Sequence, residues 1–414
     1  MRRRWSLEGP LPPLPWVYAP AGHSWGVSEI ESTRPPPRIL VVALGAFVML
    51  GLVDGALGVA WPSLREAFGR GLSDLGVLLA FGSVGYLTAS IGYGGLHSRY
   101  GTRALLVLGS GLLVVGVAGI AIAPMWLSVA AAATMIGLGG GLVDTGMNAH
   151  AALSFDVGSI NLLHASYGVG ATLGPVVITV SLVSTGVWRA GYALLAVMQV
   201  LSWVAIWRRR ARWAGVEPDS SEDPPTIGRG ARLWLLLMLF FLYTGVEVAT
   251  GQWAFTLLSE GRGMGTAAAG AWVAGYWGGL TVGRFGFGVV GERLSSRRVL
   301  DASMVVALVG IAVLWLDPLG IGPIGLPIAG LGFAAVFPIL VSLTPARIGR
   351  TASTRTMGYQ LASANIGAAG IPWALGLLAE ARGVTALAPG LFVAATLLAL
   401  THVVSFAKSA WASR

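Results

Sequence analysis

The chain has 414 residues, 55% of them hydrophobic and 11% charged, with a formal net charge of +9 and a mean hydropathy of +0.74. Soluble domains carry about 25% charged residues, so this composition excludes a water-soluble protein. The basic residues lie in short segments between apolar runs, which excludes nucleic acid as their partner, and with no cysteine there are neither disulfides nor thiolate metal sites.

Residues 1–38 open with Arg2, Arg3 and Arg4 and contain eight prolines. No continuous apolar run follows the arginines, so the segment reads as a disordered cytoplasmic tail and not as a cleavable signal peptide. Twelve apolar spans follow, at about 39–60, 74–96, 103–122, 126–150, 161–184, 188–207, 233–258, 266–290, 298–316, 322–344, 356–379 and 386–407. Runs near 20 residues make about 30 Å of helix, enough to cross the hydrocarbon core of a bilayer. A lipid-embedded segment must satisfy its own backbone, so the expected class is an all-α membrane protein. Residues 208–232 interrupt the spans with RRRAR and EPDSSEDPP. They read as a flexible cytoplasmic linker between an N-terminal six-helix bundle (39–207) and a C-terminal one (233–407), with residues 408–414 a short cytoplasmic tail.

The basic residues orient the chain. With both termini in the cytoplasm, 21 of the 27 Lys and Arg residues are cytoplasmic; Arg65, Arg70, Arg189, Arg262 and Arg382 fall outside, and Arg284 lies within a span. The expected location is the cell membrane.

The two halves repeat. Ile136-Gly137-Leu138-Gly139 returns 193 residues later as Ala329-Gly330-Leu331-Gly332, and Asp54 with Gly58 returns as Glu247 with Gly251. Gly94, Arg99 and Arg103 return 194 residues later as Gly288, Arg293 and Arg297. Repeats of equal topology are related by an axis along the membrane normal, which places a solute site between them near the midplane, lined by spans 1, 4, 7 and 10.

Three carboxylates lie well inside spans: Asp54, Asp144 and Glu247. A charge at the bilayer centre costs about 2.5–3.5 kcal/mol on insertion scales, so it is kept where it faces a polar cavity or carries function. Each is a candidate proton-coupling group. The structural alternatives are a fixed inter-helix hydrogen bond for Asp144, a polar packing residue among Gly51, Gly55 and Gly58 for Asp54, and a pair with Arg284 for Glu247. Asn148 shares a helix face with Asp144. Asn161 and His164 are three apart at the start of span 5 and could reach the same depth; an unperturbed histidine titrates near about pH 6.5. An interfacial histidine bonded to backbone explains His164 equally well. Tyr243, Trp253, Tyr276 and Trp277 are candidates to stack on a solute ring, and Gln252, Gln360 and Asn365 to bond its hydroxyls. The alternatives are belt aromatics and inter-helix polar contacts. No cluster with metal-ligand spacing and no phosphate-binding loop is present, so no cofactor is implied and a nucleotide-driven pump is disfavoured.

Two loops carry a resemblance. GGLHSRYGTRALL (94–106) and GVVGERLSSRRVL (288–300) resemble the signature loops of the major facilitator superfamily. The resemblance implies a conformational latch built from an acid–arginine contact at a helix end. Its residues here are Gly94, Arg99, Gly101 and Arg103, then Gly288, Glu292, Arg293, Arg297 and Arg298. Ser98 stands where the first copy should carry the acid, and Ser295 replaces the usual glycine of the second. GGGLVDTGMNAH (139–150), NLLHASYGVGATLGP (161–175), YTGVEVATGQWAFTLLSE (243–260), YWGGLTVGR (276–284), FPILVSLTP (337–345) and NIGAAGIPW (365–373) are similar to the fucose permease-like branch. That branch uses one carboxylate in span 1 and one in span 4 for proton and sugar coupling. Asp144 matches the second; Asp54 lies about one turn before the first.

The reading is a monomeric secondary transporter, not an enzyme, moving a small solute, a sugar by this resemblance, by alternating access with protons. The alternatives are a proton-coupled exporter of apolar molecules and a transporter-like receptor or scaffold that moves nothing.

Overall fold

The computed structural model describes residues 37–213, 231–290, 295–348 and 350–411. The N-terminal tail 1–36 and most of the expected linker lie outside the described residues. The first half holds α1 (Pro37–Ala67), α2 (Asp74–Ile122), α3 (Trp126–Ser154), α4 (Val157–Thr185) and α5 (Trp188–Arg208). The second holds α6 (Ala231–Thr256), α7 (Thr266–Val290), α8 (Ser296–Leu316), α9 (Gly325–Phe333), α10 (Val336–Ile348), α11 (Arg350–Arg382) and α12 (Leu387–Trp411). Among the described residues no strand occurs, and ten helices are long and apolar enough to cross a membrane. The twelve expected spans map onto these elements, with two of them in α2 and span 10 divided between α9 and α10.

The 49 residues of α2 are not one rod. Gly101 has φ +73°, a backbone that side chains disfavour. On either side of it, the carbonyls of Gly82 and Gly109 lie against Gly137 and Gly139 of α3. Both arms therefore pack on the same turn of α3, and the chain reverses at the signature-loop glycine. The division of span 10 has a different cause. Pro338 cannot donate to the carbonyl of Ala334, and its ring crowds that carbonyl. The helix ends at Phe333 and resumes at Val336.

Packing repeats between the halves. α1 crosses α4 through Gly51, Gly55, Gly170 and Gly174, each laid against backbone of its partner; α6 crosses α11 through Gly245 and Gly367 in the same manner. The α2–α3 contact corresponds to α7–α9, where Gly279 meets Pro327 and Gly330 meets Tyr276. Lipid tails supply no hydrophobic drive between helices, so small residues that let backbones approach carry the association.

The halves join through α1 with α6, α2 with α11 and α4 with α7. Arg65 Nη2 pairs with Glu260 Oε2 at 2.6 Å, and Glu380 Oε1 accepts from Ser73 N and Oγ at 2.9 and 3.0 Å. Gly58 rests on Gln252, and Gly76 on Trp373. Nearer the middle, Ser83 Oγ donates to the Asn365 carbonyl at 3.4 Å, and the Thr172 and Thr281 hydroxyls are 3.3 Å apart. These contacts run from the midplane to the end that carries the loops near residues 70, 263 and 383. At the opposite end, where α1 begins, Gly94, Leu96, Arg99, His164 and Tyr359 are exposed. Asp54, midway along α1 inside the bundle, is exposed as well, so we read this end as the open side of a cleft between the halves.

One boundary differs from the sequence reading. The expected linker starts with packed structure: a 3-10 turn spans Arg210–Arg212, and the Trp213 side chain is fully buried, its ring 5.2 Å from that of His150. An indole buries far more apolar area than its polar neighbours cost, so it holds the turn to the bundle.

Gly137→Val tests the packing scheme. Its added carbons meet the Gly82 carbonyl and the Tyr86 nitrogen, backbone atoms that cannot step aside. Overpacking of this kind costs about 1–3 kcal/mol, so the thermal midpoint of the purified protein should fall clearly. Gly94→Ala, which meets no atom within 4 Å, should leave it unchanged.

Candidate functional site

Asp54 and Asp144 sit in one local sequence. Gly-Leu-Val-Asp occurs at 51–54 and again at 141–144. In each copy the glycine presses on the backbone carbonyl of a tyrosine from the crossing helix: Gly51 on Tyr167 of α4, and Gly141 on Tyr86 of α2. In each copy that tyrosine then donates its hydroxyl to the aspartate three residues on. Tyr167 reaches Asp54 Oδ2 at 2.7 Å, and Tyr86 reaches Asp144 Oδ2 at 2.6 Å. The glycine removes the side chain that would hold the helices apart, and the phenol supplies the donor a carboxylate needs away from bulk water.

Around Asp144, the Asn148 Nδ2 donates to Oδ1 at 2.9 Å, one turn along the same face. His164 lies close enough to interact electrostatically with Asp144 and with Arg284, and its ring stands edge-on to Phe47 at 5.7 Å. Asp54 and Asp144 also feel each other's charge. Asp54 and His164 are exposed although both lie along helices within the bundle, so they face the cleft; Asp144 is partly exposed.

The C-terminal half presents a different arrangement. Glu247 Oε1 pairs with Arg284 Nη2 at 3.3 Å, and Tyr276 donates to the Glu247 carbonyl at 2.6 Å. Tyr243 is buried, donates to the Phe333 carbonyl at 3.2 Å and lies within electrostatic reach of Glu247 and Arg284. Arg284 also interacts with Tyr167 across the seam between the halves. Gln252 crosses the same seam, its Nε2 donating to the Asp54 carbonyl at 3.0 Å. Gln252 Oε1, Trp277 Nε1 and Arg284 Nε are buried with no hydrogen-bond partner among the described residues. The whole is a polar band of three carboxylates, one guanidinium, one imidazole and several phenols, approached from the open end. Such a band can exchange protons and bond a polyhydroxylated solute.

The structure separates other candidates from this band. Trp253 is fully buried and donates its indole N–H to the Pro372 carbonyl at 3.1 Å, between α6 and α11. Gln360 is buried and exchanges hydrogen bonds with Thr344 within the C-terminal half. Asn365 bonds its side chain back to the Leu361 carbonyl at 2.9 Å. Trp277 packs its ring on Gly251 and, at 5.2 Å, against Tyr276, with little of it accessible. Asn161 is exposed on the open side.

In the first signature loop, Gly94 and Arg103 are exposed, the Arg99 guanidinium rests over Tyr100 at 5.4 Å, and Ser98 Oγ closes a turn onto the Gly95 carbonyl. Among the described residues Arg99 meets no carboxylate. Glu292 and Arg293 of the second loop, and the surroundings of Gly288, lie outside the described residues. Arg297 approaches Asp301 at 3.9 Å and lies over Phe406, while Arg298 is exposed. No group of side chains that could hold a metal occurs among the described residues.

Sequence reasoning did not single out Tyr86 and Tyr167, and it weighed Arg284 only as a structural partner for Glu247. The signal was the repeated Gly-Leu-Val-Asp, which marks spans 1 and 4 as equivalent and asks which crossing helix supplies a donor to each.

The chain belongs to the Major Facilitator Superfamily, whose model matches residues 43–372; this is a family of transporters, not of enzymes. "Bypass of stop codon protein 6" of Saccharomyces cerevisiae is 26% identical over 292 residues, covering 63% of this chain and 59% of that protein. The chain thus spans about three-fifths of that relative's length. The glucose/mannose transporter GlcP of Bacillus subtilis is 22% identical over 345 residues, covering 80% of this chain and 85% of that one. Among solved structures, FucP in the outward conformation superposes with a TM-score of 0.61 at 16% identity, over 89% of this chain and 98% of that chain. A POT family transporter in complex with 5-aminolevulinic acid gives 0.70 at 13% identity, over 92% and 97%. These structures share the fold.

Two substitutions separate site from scaffold. Tyr167→Phe removes only the donor to Asp54 and should leave the thermal midpoint within about a degree while lowering transport several-fold. Trp253→Phe removes the indole hydrogen bond to the Pro372 carbonyl, costs about 1 kcal/mol of stability and should leave solute affinity unchanged. Melting curves and solute binding by the two purified variants, with proteoliposome transport by Tyr167→Phe, check both.

Proposed function

We propose that the protein is a proton-coupled secondary transporter of a small polar solute, a sugar, working by alternating access as a monomer in the cell membrane. The observation that carries the reading is the pair of aspartates, each held by a neutral phenol and each reachable from the cleft. A carboxylate with a neutral partner can exist with or without its proton, whereas one neutralised by an arginine has little need of it. The unpartnered polar atoms of Gln252 and Arg284 supply an acceptor and a donor suited to hydroxyl groups. A relative named as a glucose/mannose transporter and a structural neighbour named as a fucose:proton symporter support the same solute class. The aromatics that would favour an apolar cargo are mostly buried in helix contacts, which supports a sugar over a lipophilic molecule. With both termini cytoplasmic, as the basic residues favour, the open cleft faces the cytoplasm.

Proton coupling needs a place for the proton, while exchange needs only a moving cavity. In proteoliposomes with an imposed pH gradient, the wild type should accumulate a labelled sugar and lose that accumulation when a protonophore is added. Asp144→Asn should abolish uphill transport and keep counterflow; Glu247→Gln should impair both. If Asp144→Asn keeps full uphill transport while Glu247→Gln loses it, the proton site belongs to the C-terminal half.

A further inference from the structure

Away from the central band, a second cavity of about 550 Å³ lies at the seam of α1 and α5, at the end of the bundle where α1 begins. Val42, Leu201, Val204, Ala205, Arg208, Arg209 and Ala211 line it. Residues 201, 204, 205 and 208 fall on one face of α5. Along about 10 Å of helix axis that face passes from exposed leucine through valine and alanine to arginine. Leu201 is 65% exposed, which marks this wall as facing the bilayer. Arg38 stands one turn before Val42 on α1, exposed at the same end.

The three consecutive arginines differ in use. Arg210 lies over the Trp207 ring at 4.7 Å and donates to the Trp207 carbonyl at 3.0 Å. Arg208 and Arg209 have no hydrogen-bond or ion-pair partner among the described residues. The turn that follows them, Arg210–Arg212, is held in place by the buried Trp213, so this end of the cavity wall is preformed. Trp207 is 46% exposed, as an indole at the headgroup level is.

We propose that this cavity binds an anionic phospholipid, its phosphate held by Arg208 and Arg209 and its acyl chain laid along Val42, Leu201 and Val204. Guanidinium groups match phosphate oxygens in pairs, and basic pockets beside membrane helices suit anionic headgroups. The apolar wall demands a ligand with a hydrocarbon part. A free phosphate has none, and neither does the acid-rich EPDSSEDPP segment that follows in the chain.

The test uses the full-length protein purified in a neutral detergent, with intrinsic tryptophan fluorescence reporting the thermal midpoint. Palmitoyl-oleoyl phosphatidylglycerol should raise the midpoint by several degrees. The matching phosphatidylcholine and inorganic phosphate should not. In the double variant Arg208→Gln, Arg209→Gln the shift should fall by at least half. In Val204→Trp, which fills the cavity and keeps both arginines, the shift should fall likewise. Native mass spectrometry should show one retained phosphatidylglycerol on the wild type and none on either variant. An equal shift with phosphatidylcholine, or an undiminished shift in both variants, overturns the proposal. So does a shift of the same size with inorganic phosphate. If neutralising Glu217, Asp219, Glu222 and Asp223 lowers the lipid-free midpoint as much as the arginine double variant does, the linker is the occupant and the lipid is not.

Discussion

Backbone-to-backbone contact through glycine is the constraint on which the rest of the molecule depends. In hydrocarbon, apolar side chains gain little by facing each other instead of lipid, so close approach and dispersion carry helix association. Gly137 meets the Tyr86 nitrogen and Gly141 the Tyr86 carbonyl, and Gly51 rests on the Tyr167 carbonyl. Once the backbones are fixed at that distance, the phenol oxygens have one place to go, the carboxylate three residues past the gripping glycine. The packing device and the chemistry are thus one arrangement. Widening either crossing would withdraw the donor from its aspartate in the same movement.

The spans were legible because a bilayer allows only apolar helices of sufficient length, and that requirement is written in composition. Their ends were less so: α1 runs to Ala67 and α11 back to Arg350, because a helix can continue past the hydrocarbon where water satisfies its backbone. The carboxylates were legible for the complementary reason, since charge in an apolar run stands out. Their partners were not. Tyr86 is 58 residues from Asp144 and Tyr167 is 113 from Asp54, and nothing in either tyrosine's own surroundings distinguishes it from a belt aromatic. Trp253 misled for a related reason. An indole beside polar residues in a cavity helix reads as a stacking platform, but here it is buried against α11 and donates its N–H to the Pro372 carbonyl. Trp213 was hidden because arginines crowd the sequence before it, so its packing into the apolar core is invisible to any window of hydropathy.

Charge is also distributed unevenly along the membrane normal. The ion pair Arg65–Glu260 and the Glu380 cap on Ser73 hold the halves together at one end, beyond the last apolar turns, where water can reach them. A contact of this kind costs little to break when both partners can be rehydrated. The inner contacts, Gln252 to the Asp54 carbonyl and Ser83 to the Asn365 carbonyl, involve neutral groups. Among the described residues the seam therefore has no buried charge pair to strand when it opens, and that suits the separation and rejoining that the proposed alternating access requires.

The two halves are alike in architecture and unlike in charge. In the N-terminal half the Gly-Leu-Val-Asp copies produce two carboxylates with neutral donors. In the C-terminal half the position equivalent to Asp54 is Glu247, and its partner is the guanidinium of Arg284; the position equivalent to Asp144 is Phe337. An arginine balances its carboxylate's charge within the protein. A phenol shares a proton and balances nothing. Two negative charges on the N-terminal wall must then be met by His164, by something carried in from water, or by protons taken up on the carboxylates themselves. The first is a single group already shared with the field of Arg284. Under the proposed coupling, whatever neutralises the remainder comes and goes with the exposure of the cleft, and that ties proton movement to the movement of solute.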